Sequence, residues 1–172
     1  MAKTTFQYIA LFVILVMMQV IFSKIMLFNV ATPIIFIYLL LRLPIGLSLN
    51  AVFTIAFFSG LSIDVFNDTQ GMNALASLLT AALRTKVFYA FVTRDDETGD
   101  IIPSCKSIGT ANYLKYAGIL TLFYCALIFF IQAFTFHDIL LTVARISSSF
   151  ALSLLLIYGI DSLMNTRREK RL

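Results

Sequence analysis

The stretch FFSGLSIDVFNDTQGMNAL, residues 57–75, contains the end of one apolar helix, a polar turn and the start of the next helix. Gly60 and Asp64 are one helical turn apart, so their side chains share a face. A glycine on that face lets a neighbouring helix approach closely, and Asp64 lies where the helix leaves the apolar region. The stretch therefore predicts a helical hairpin.

The turn and the second helix of this hairpin carry residues suited to capping and close packing. Asn67 and Asp68 are suited to capping the second helix, and Gly71 eases its entry. Small residues then recur at i, i+3 and i+7, a spacing that lets helix backbones pack closely in lipid. These residues are Ala74, Ser77 and Ala81.

The composition favours lipid as the solvent of the whole chain. Of 172 residues, 60% are hydrophobic and only 13% are charged, whereas a soluble domain carries roughly a quarter charged residues. Mean hydropathy is +0.92. The formal net charge of +4 comes mostly from residues just outside apolar runs, which indicates membrane topology and no nucleic-acid partner. An all-α integral membrane bundle, a single transmembrane domain over 1–172, is predicted.

Hydropathy divides the chain into about six candidate transmembrane helices. They cover Phe6–Phe22, Ile25–Leu41, Leu47–Phe66, Gly71–Leu83, Tyr113–Phe136 and Ile139–Leu163. The second is open to a break or re-entry at Pro33, because proline removes a helical hydrogen bond. The fourth extends toward Phe91 if the side chains of Arg84 and Lys86 snorkel to the interface.

Basic residues are distributed asymmetrically among the connections of these six spans. One side collects both termini, the connection between the second and third spans, the loop at about 93–112 and the tail at about 164–172. The positive-inside rule assigns that side to the cytoplasm. The basic tail is also suited to contact with anionic lipid headgroups. The basic residues on that side are Lys3, Arg42, Arg84, Lys86, Arg94, Lys106, Lys115, Arg167, Arg168, Lys170 and Arg171, against Lys24 on the other.

The sequence offers little for catalysis. Cys105, Cys125 and the single histidine, His137, make no metal-ligand set, and no phosphate loop or catalytic pair is present. No cofactor and no enzymatic activity are predicted.

Arg145 lies inside the sixth apolar run. An unpaired arginine at such a position costs on the order of several kcal/mol. Asp64 or Asp68 is expected at similar depth, so an ion pair with Arg145 is predicted, with Asp64 as the favoured partner. The pair would either orient the bundle or form part of a partner site.

The hairpin pattern resembles the signature of the MreD family of bacterial rod-shape-determining membrane proteins. The matching residues are Phe58, Gly60, Leu61, Asp64, Gly71, Ala74 and Leu75. The sequence around these residues resembles that of family members from Bacteroidetes, notably at Asp64-Val65-Phe66 and Gln70-Gly71-Met72-Asn73. Length and basic tail also fit this family, while the acidic loop after Thr93 departs from many members.

The resemblance implies a fold like that of the substrate-binding subunits of energy-coupling-factor transporters. It implies a non-enzymatic scaffold of the peptidoglycan elongation complex in the bacterial inner membrane. The implied partners are an MreC-like protein, a RodA-like glycosyltransferase, a class-B penicillin-binding protein and, indirectly, the MreB cytoskeleton. The alternative is a vitamin-type transporter substrate-binding subunit, which would line an outward-facing pocket with polar side chains. The sequence places few polar groups inside its spans, which favours the scaffold.

Overall fold

The computed structural model describes residues 2–24, 32–92, 101–132 and 139–169, and within these ranges every regular element is a helix. This confirms the all-α prediction. The helices are α1 (Ala2–Lys24), α2 (Ile37–Arg42), α3 (Leu49–Asn67), α4 (Met72–Phe91), α5 (Cys105–Ile108), α6 (Thr110–Gln132) and α7 (Ile139–Glu169).

Four of these helices are long and apolar enough to cross a membrane: α3, α4, α6 and the Thr142–Met164 part of α7. Helix α1 contributes a shorter apolar stretch, Tyr8–Ser23. The chain is therefore a multi-pass helical membrane protein by length and composition. The predicted count of six full helical spans is not supported.

The second predicted span, Ile25–Leu41, differs most from its prediction. Residues 25–31 lie outside the described ranges, residues 32–35 are not helical, and only the six-residue α2 follows. Pro33 accounts for the break, because it has no backbone N–H and its ring clashes with a preceding turn. Residues 33–43 are all buried, so this non-helical backbone faces protein.

Gln19 of α1 supplies the nearest polar partners of the broken segment. Its side chain is only 5% exposed. The Gln19 Nε2 donates to the Pro33 carbonyl at 3.0 Å, and the Ile35 N–H donates to Gln19 Oε1 at 2.7 Å. One amide side chain therefore replaces two of the bonds that a continuous helix would have made.

Two serines of α7 satisfy the remaining N–H groups of this segment. The Thr32 N–H donates to Ser149 Oγ at 3.0 Å, and the Ile34 N–H donates to Ser153 Oγ at 2.8 Å. Both serine side chains are completely buried. The polar positions of α7 therefore hold the broken segment against that helix.

The helices pack in an order that follows the chain. Helix α3 makes its most extensive contact with α4, α4 then packs on α6, α6 packs on α7, and α1 packs against α3. Helix α4 does continue to Phe91, as the extended prediction had it. The α3–α4 hairpin predicted from residues 57–75 is thus the most closely packed pair in the described structure.

Candidate functional site

The carboxylate of Asp64 caps the N-terminus of α4 from the neighbouring helix. Asp64 belongs to the last turn of α3 and is 3% exposed. Its Oδ2 accepts the Ala74 N–H at 2.8 Å, and its Oδ1 accepts the Asn73 N–H at 3.1 Å. These N–H groups belong to the first turn of α4. They have no acceptor within the helix, and this end of the helix carries partial positive charge.

A second layer of hydrogen bonds fixes the Asp64 carboxylate. The Asn73 Nδ2 donates to Asp64 Oδ1 at 2.9 Å, and the Thr69 hydroxyl donates to the same oxygen. The Tyr124 hydroxyl of α6 donates to Asn73 Oδ1 at 2.7 Å. This Asp64 site, formed by Asp64, Thr69, Asn73, Ala74 and Tyr124, therefore joins α3, the turn, α4 and α6.

Gly60 lies against the same end of α4, one turn before Asp64. A Cβ atom at Gly60 would be 2.5 Å from Ala74 Cα and 2.6 Å from Ala74 N. Both are backbone atoms, so a side chain at this position would require the two helices to move apart. The predicted role of Gly60 in close approach is thus visible in the geometry.

The structure brings together only part of the family-like motif. Gly60, Asp64 and Ala74 converge, and Gly71 takes a left-handed conformation (φ 77°) at the N-cap of α4. Leu61 is half-buried. The side chains of Phe58 and Leu75 are 57% and 50% exposed, on the outer surface of the hairpin.

The predicted capping of α4 by Asn67 and Asp68 is wrong. Asn67 Oδ1 accepts a hydrogen bond from the Ser23 hydroxyl of α1 at 2.8 Å. Asp68 ends α3 in a left-handed conformation with φ 54°. The cap comes from Asp64 because the reversal of the chain brings the last turn of α3 beside the first turn of α4.

The predicted ion pair between Asp64 and Arg145 is not formed in the described structure. Both Asp64 oxygens accept from the hairpin itself, and Arg145 lies on α7, which packs mainly on α6. Arg145 is half-buried, and its Nε has no hydrogen-bond partner. The depth of a residue in its span, read from the sequence, did not reveal that α7 packs mainly on α6.

A second polar group, absent from the sequence predictions, surrounds Asp161 of α7. Asp161 is completely buried. Its Oδ1 accepts from the Tyr38 hydroxyl at 3.1 Å and is 3.4 Å from Arg42 Nη1, while its Oδ2 accepts the Cys105 N–H at 2.9 Å. We call Tyr38, Arg42, Cys105 and Asp161 the Asp161 cluster, in which Arg42 and Asp161 form an ion pair.

The Cys105 thiol of this cluster stays protonated near neutral pH. Burial, together with the adjacent Asp161 carboxylate, raises its pKa to about 12. The thiolate, which is the reactive form, is therefore scarce. Both cysteines, Cys105 and Cys125, are free thiols.

Arg84 lies next to this cluster and does not snorkel. It is 1% exposed, its Nη2 donates to the Leu43 carbonyl, and the Tyr116 hydroxyl lies beside its guanidinium. Its Nε and Nη1 have no partner in the protein, and neither does the buried Tyr113 hydroxyl. Helix α4 reaches Phe91 with this arginine turned into the protein.

One sequence signal pointed to this second group. Asp161 is the single acidic residue within the last apolar run, and Arg42 closes another apolar run. An acid and a base in apolar segments are each costly alone, which favours their pairing. Arg42 meets Asp161 because the chain is broken before α3, and the hydropathy pattern did not show this break.

The expectation of few polar groups inside the spans is also wrong. Polar residues spaced along the chain are buried in the interior, where most of them make hydrogen bonds. The buried set comprises Gln19, Arg42, Ser59, Asp64, Ser77, Thr80, Arg84, Ser104, Thr121, Ser149, Ser153 and Asp161. Within the described ranges, no three His, Cys, Asp or Glu side chains come together in a way that could hold a metal ion.

Together the fold and these two polar groups define a helical, multi-pass membrane protein whose buried carboxylates bind its own backbone and side chains. Comparison with protein-family models, with curated proteins and with solved structures gave no significant match.

We predict that Gly60→Ala lowers the free energy of unfolding in detergent by about 1–3 kcal/mol, because its methyl group overpacks the backbone of α4. Gly159→Ala is the matched control, since a Cβ at this helical glycine meets nothing within 4 Å. Thermal unfolding monitored by circular dichroism measures both variants. Equal stability of the two would contradict the close approach at Gly60.

We predict that Asp64→Asn destabilises the protein by about 1–3 kcal/mol, because the amide NH₂ group replaces an acceptor of a charge-assisted bond. Asp68→Asn is the control, since Asp68 is exposed and asparagine tolerates its left-handed backbone. Denaturant titration in detergent compares them.

The double variant Asp64→Asn/Arg145→Gln should show additive losses, because the two side chains are not paired. A loss in Asp68→Asn equal to that in Asp64→Asn would reject the capping role of Asp64.

Proposed function

We propose that this chain is a non-enzymatic scaffold of the bacterial cell-wall elongation complex, similar to MreD-family proteins. The observation that supports the proposal most is the Asp64 site. The motif residues Gly60, Asp64 and Ala74 form a rigid joint between two helices, and both carboxylate oxygens accept N–H groups of that joint. A carboxylate engaged in this way serves structure, which suits a scaffold more than an enzyme.

The outer surface of the same hairpin is suited to contact with lipid or with a partner helix. Phe58 and Leu75 belong to the family-like motif yet point away from the core. A motif that combines a fixed joint with outward apolar side chains fits a protein that presents a helix pair to other membrane proteins. The proposed partners are an MreC-like protein, a RodA-like glycosyltransferase and a class-B penicillin-binding protein.

A transporter substrate-binding subunit is the second candidate, and the buried polar side chains are the observation in its favour. Most of them, however, already bind the protein's own backbone or side chains. A groove of about 330 Å³ between α6 and α7 is almost entirely apolar. Its lining residues are Leu114, Phe150, Ala151, Leu154, Leu155 and Tyr158. Such a groove suits an acyl chain better than a vitamin.

Affinity isolation from a mild-detergent extract tests the proposal. The tagged wild-type chain should retain the three elongation proteins named above, and its depletion should turn rod-shaped cells round. Gly60→Ala should reduce both partner recovery and shape complementation, whereas Gly159→Ala should preserve both. Recovery of ATPase subunits in place of cell-wall proteins, with cell shape unchanged, would favour the transporter.

The proposed topology places both termini and the loop at 93–112 in the cytoplasm of a bacterial inner membrane. It is supported by the excess of lysine and arginine on that side. Cys105 is a poor reporter of sidedness, because its raised pKa, about 12, suppresses labelling on either side. New cysteines in a background lacking Cys105 and Cys125 avoid this problem.

An impermeant maleimide added to intact spheroplasts should label Gln70→Cys, in the exposed turn between α3 and α4, and should not label Gly99→Cys. Detergent permeabilisation should expose Gly99→Cys to the reagent. Labelling of Gly99→Cys before permeabilisation would reverse the topology.

A further inference from the structure

Residues 101–108 fold back onto the bundle beside the Asp161 cluster, and we call them the lid. The lid contains α5, a helix of four residues. A helix this short has no stability of its own, so its position depends on contacts with other parts of the chain. Pro103 and Ser104 are buried, while Lys106 and Ser107 are exposed. The lid therefore has one side on the protein and one side facing outward.

The Asp161 carboxylate holds the middle of the lid. The Cys105 N–H donates to Asp161 Oδ2 at 2.9 Å, and the Cys105 thiol also hydrogen-bonds this carboxylate. A hydrogen bond to an ionised acceptor is about twice as strong as a neutral one. The other oxygen, Oδ1, accepts from Tyr38 and pairs with Arg42. One buried carboxylate of α7 therefore joins the lid to both α7 and α2.

Further contacts attach the lid, and others hold it together as a unit. The Ile45 N–H, before α3, donates to the Ile101 carbonyl at 3.1 Å, and the side chains of Ile101 and Ile108 pack against the core. Within the lid, the Ser107 N–H donates to Ser104 Oγ at 3.2 Å, and the Ser104 N–H donates to Ser107 Oγ at 2.9 Å. This reciprocal capping uses no other part of the protein, so it can persist when the lid moves.

Gly109 connects the lid to α6 with an unusual backbone conformation. Its φ is 82°, in the region that favours glycine, and a Cβ at this position would meet nothing within 4 Å. Helix α6 begins at the next residue, Thr110, and the Gly109 carbonyl accepts the Tyr113 N–H at 3.0 Å. A glycine without side-chain packing at the end of an element can absorb the dihedral change of a hinge.

We propose that the lid opens and closes over the Asp161 cluster as one unit, with the Asp161–Cys105 contact as its latch and Gly109 as its hinge. The structure shows the closed position. Opening breaks the latch and admits water to Asp161 and Arg42, which are 0% and 8% exposed when the lid is closed. It requires less free energy than unfolding of the bundle, because the contacts that break are local. This device is independent of the proposed scaffold function.

Hydrogen–deuterium exchange of the full-length chain in a neutral detergent tests whether the lid opens separately. Peptides that cover residues 101–108 should be protected, yet they should exchange faster than peptides from the middle of α6 by about tenfold or more, as expected for an opening that precedes global unfolding. Amide exchange is a better measurement than thiol labelling, because loss of the Asp161 charge also changes the pKa of Cys105.

Two variants address the latch and the hinge. Asp161→Asn should raise lid exchange about three- to tenfold, the change expected when a charge-assisted bond becomes a neutral one. Asp68→Asn makes the same chemical change at an exposed position and should leave the lid unchanged. Gly109→Ala should raise lid exchange about fivefold, because alanine strains the closed backbone and opening relieves the strain. Gly159→Ala is its control and should have no effect.

Exchange in the middle of α6 and the Tm separate a local effect from general destabilisation. Faster exchange in the lid alone, in both variants, supports the proposal. Lid amides that exchange no faster than those of α6 in the wild type, or that show no protection, would overturn it. A folded Asp161→Asn protein with unchanged lid exchange, or with equal acceleration in α6, would reject the latch. If Asp161→Asn does not fold, Gly109→Ala decides alone, and an unchanged lid in that variant would reject the hinge and with it the proposal.

Discussion

Lipid offers no hydrogen bonds to the backbone, and most of this structure follows from that constraint. At two places the chain satisfies backbone N–H groups with side chains from neighbouring helices. Asp64 accepts the first N–H groups of α4, and Gln19 with two serines of α7 serves the broken segment around Pro33. Each arrangement uses buried polar residues that a hydropathy profile records only as interruptions.

Such internal capping limits what the same residues can do chemically. The oxygens of Asp64 are occupied by α4, the turn and Asn73, so this carboxylate is not free to move protons or to bind a solute. Its effect is to fix the angle between two helices whose outer surfaces remain apolar. A rigid joint with an apolar exterior is the feature that links the geometry to a scaffold.

The two buried polar groups differ in how their charge is balanced. The Asp64 carboxylate faces the positive end of a helix and several donors, which together compensate one negative charge. At Asp161, the carboxylate is compensated by Arg42, and Arg84 then remains with unpartnered donors.

The sequence by itself determined the helical membrane class, the α3–α4 hairpin and the close helix approach at Gly60, because these follow from local periodicity and residue chemistry. Only the tertiary structure decided which groups meet across distant segments. Proline marked a break, but the partners of the freed backbone lie on α1 and α7. Asp64 faces α4 and not Arg145, and Arg84 faces the protein interior. The sequence did not predict either orientation, because the hydropathy of a single helix does not encode the packing order among helices.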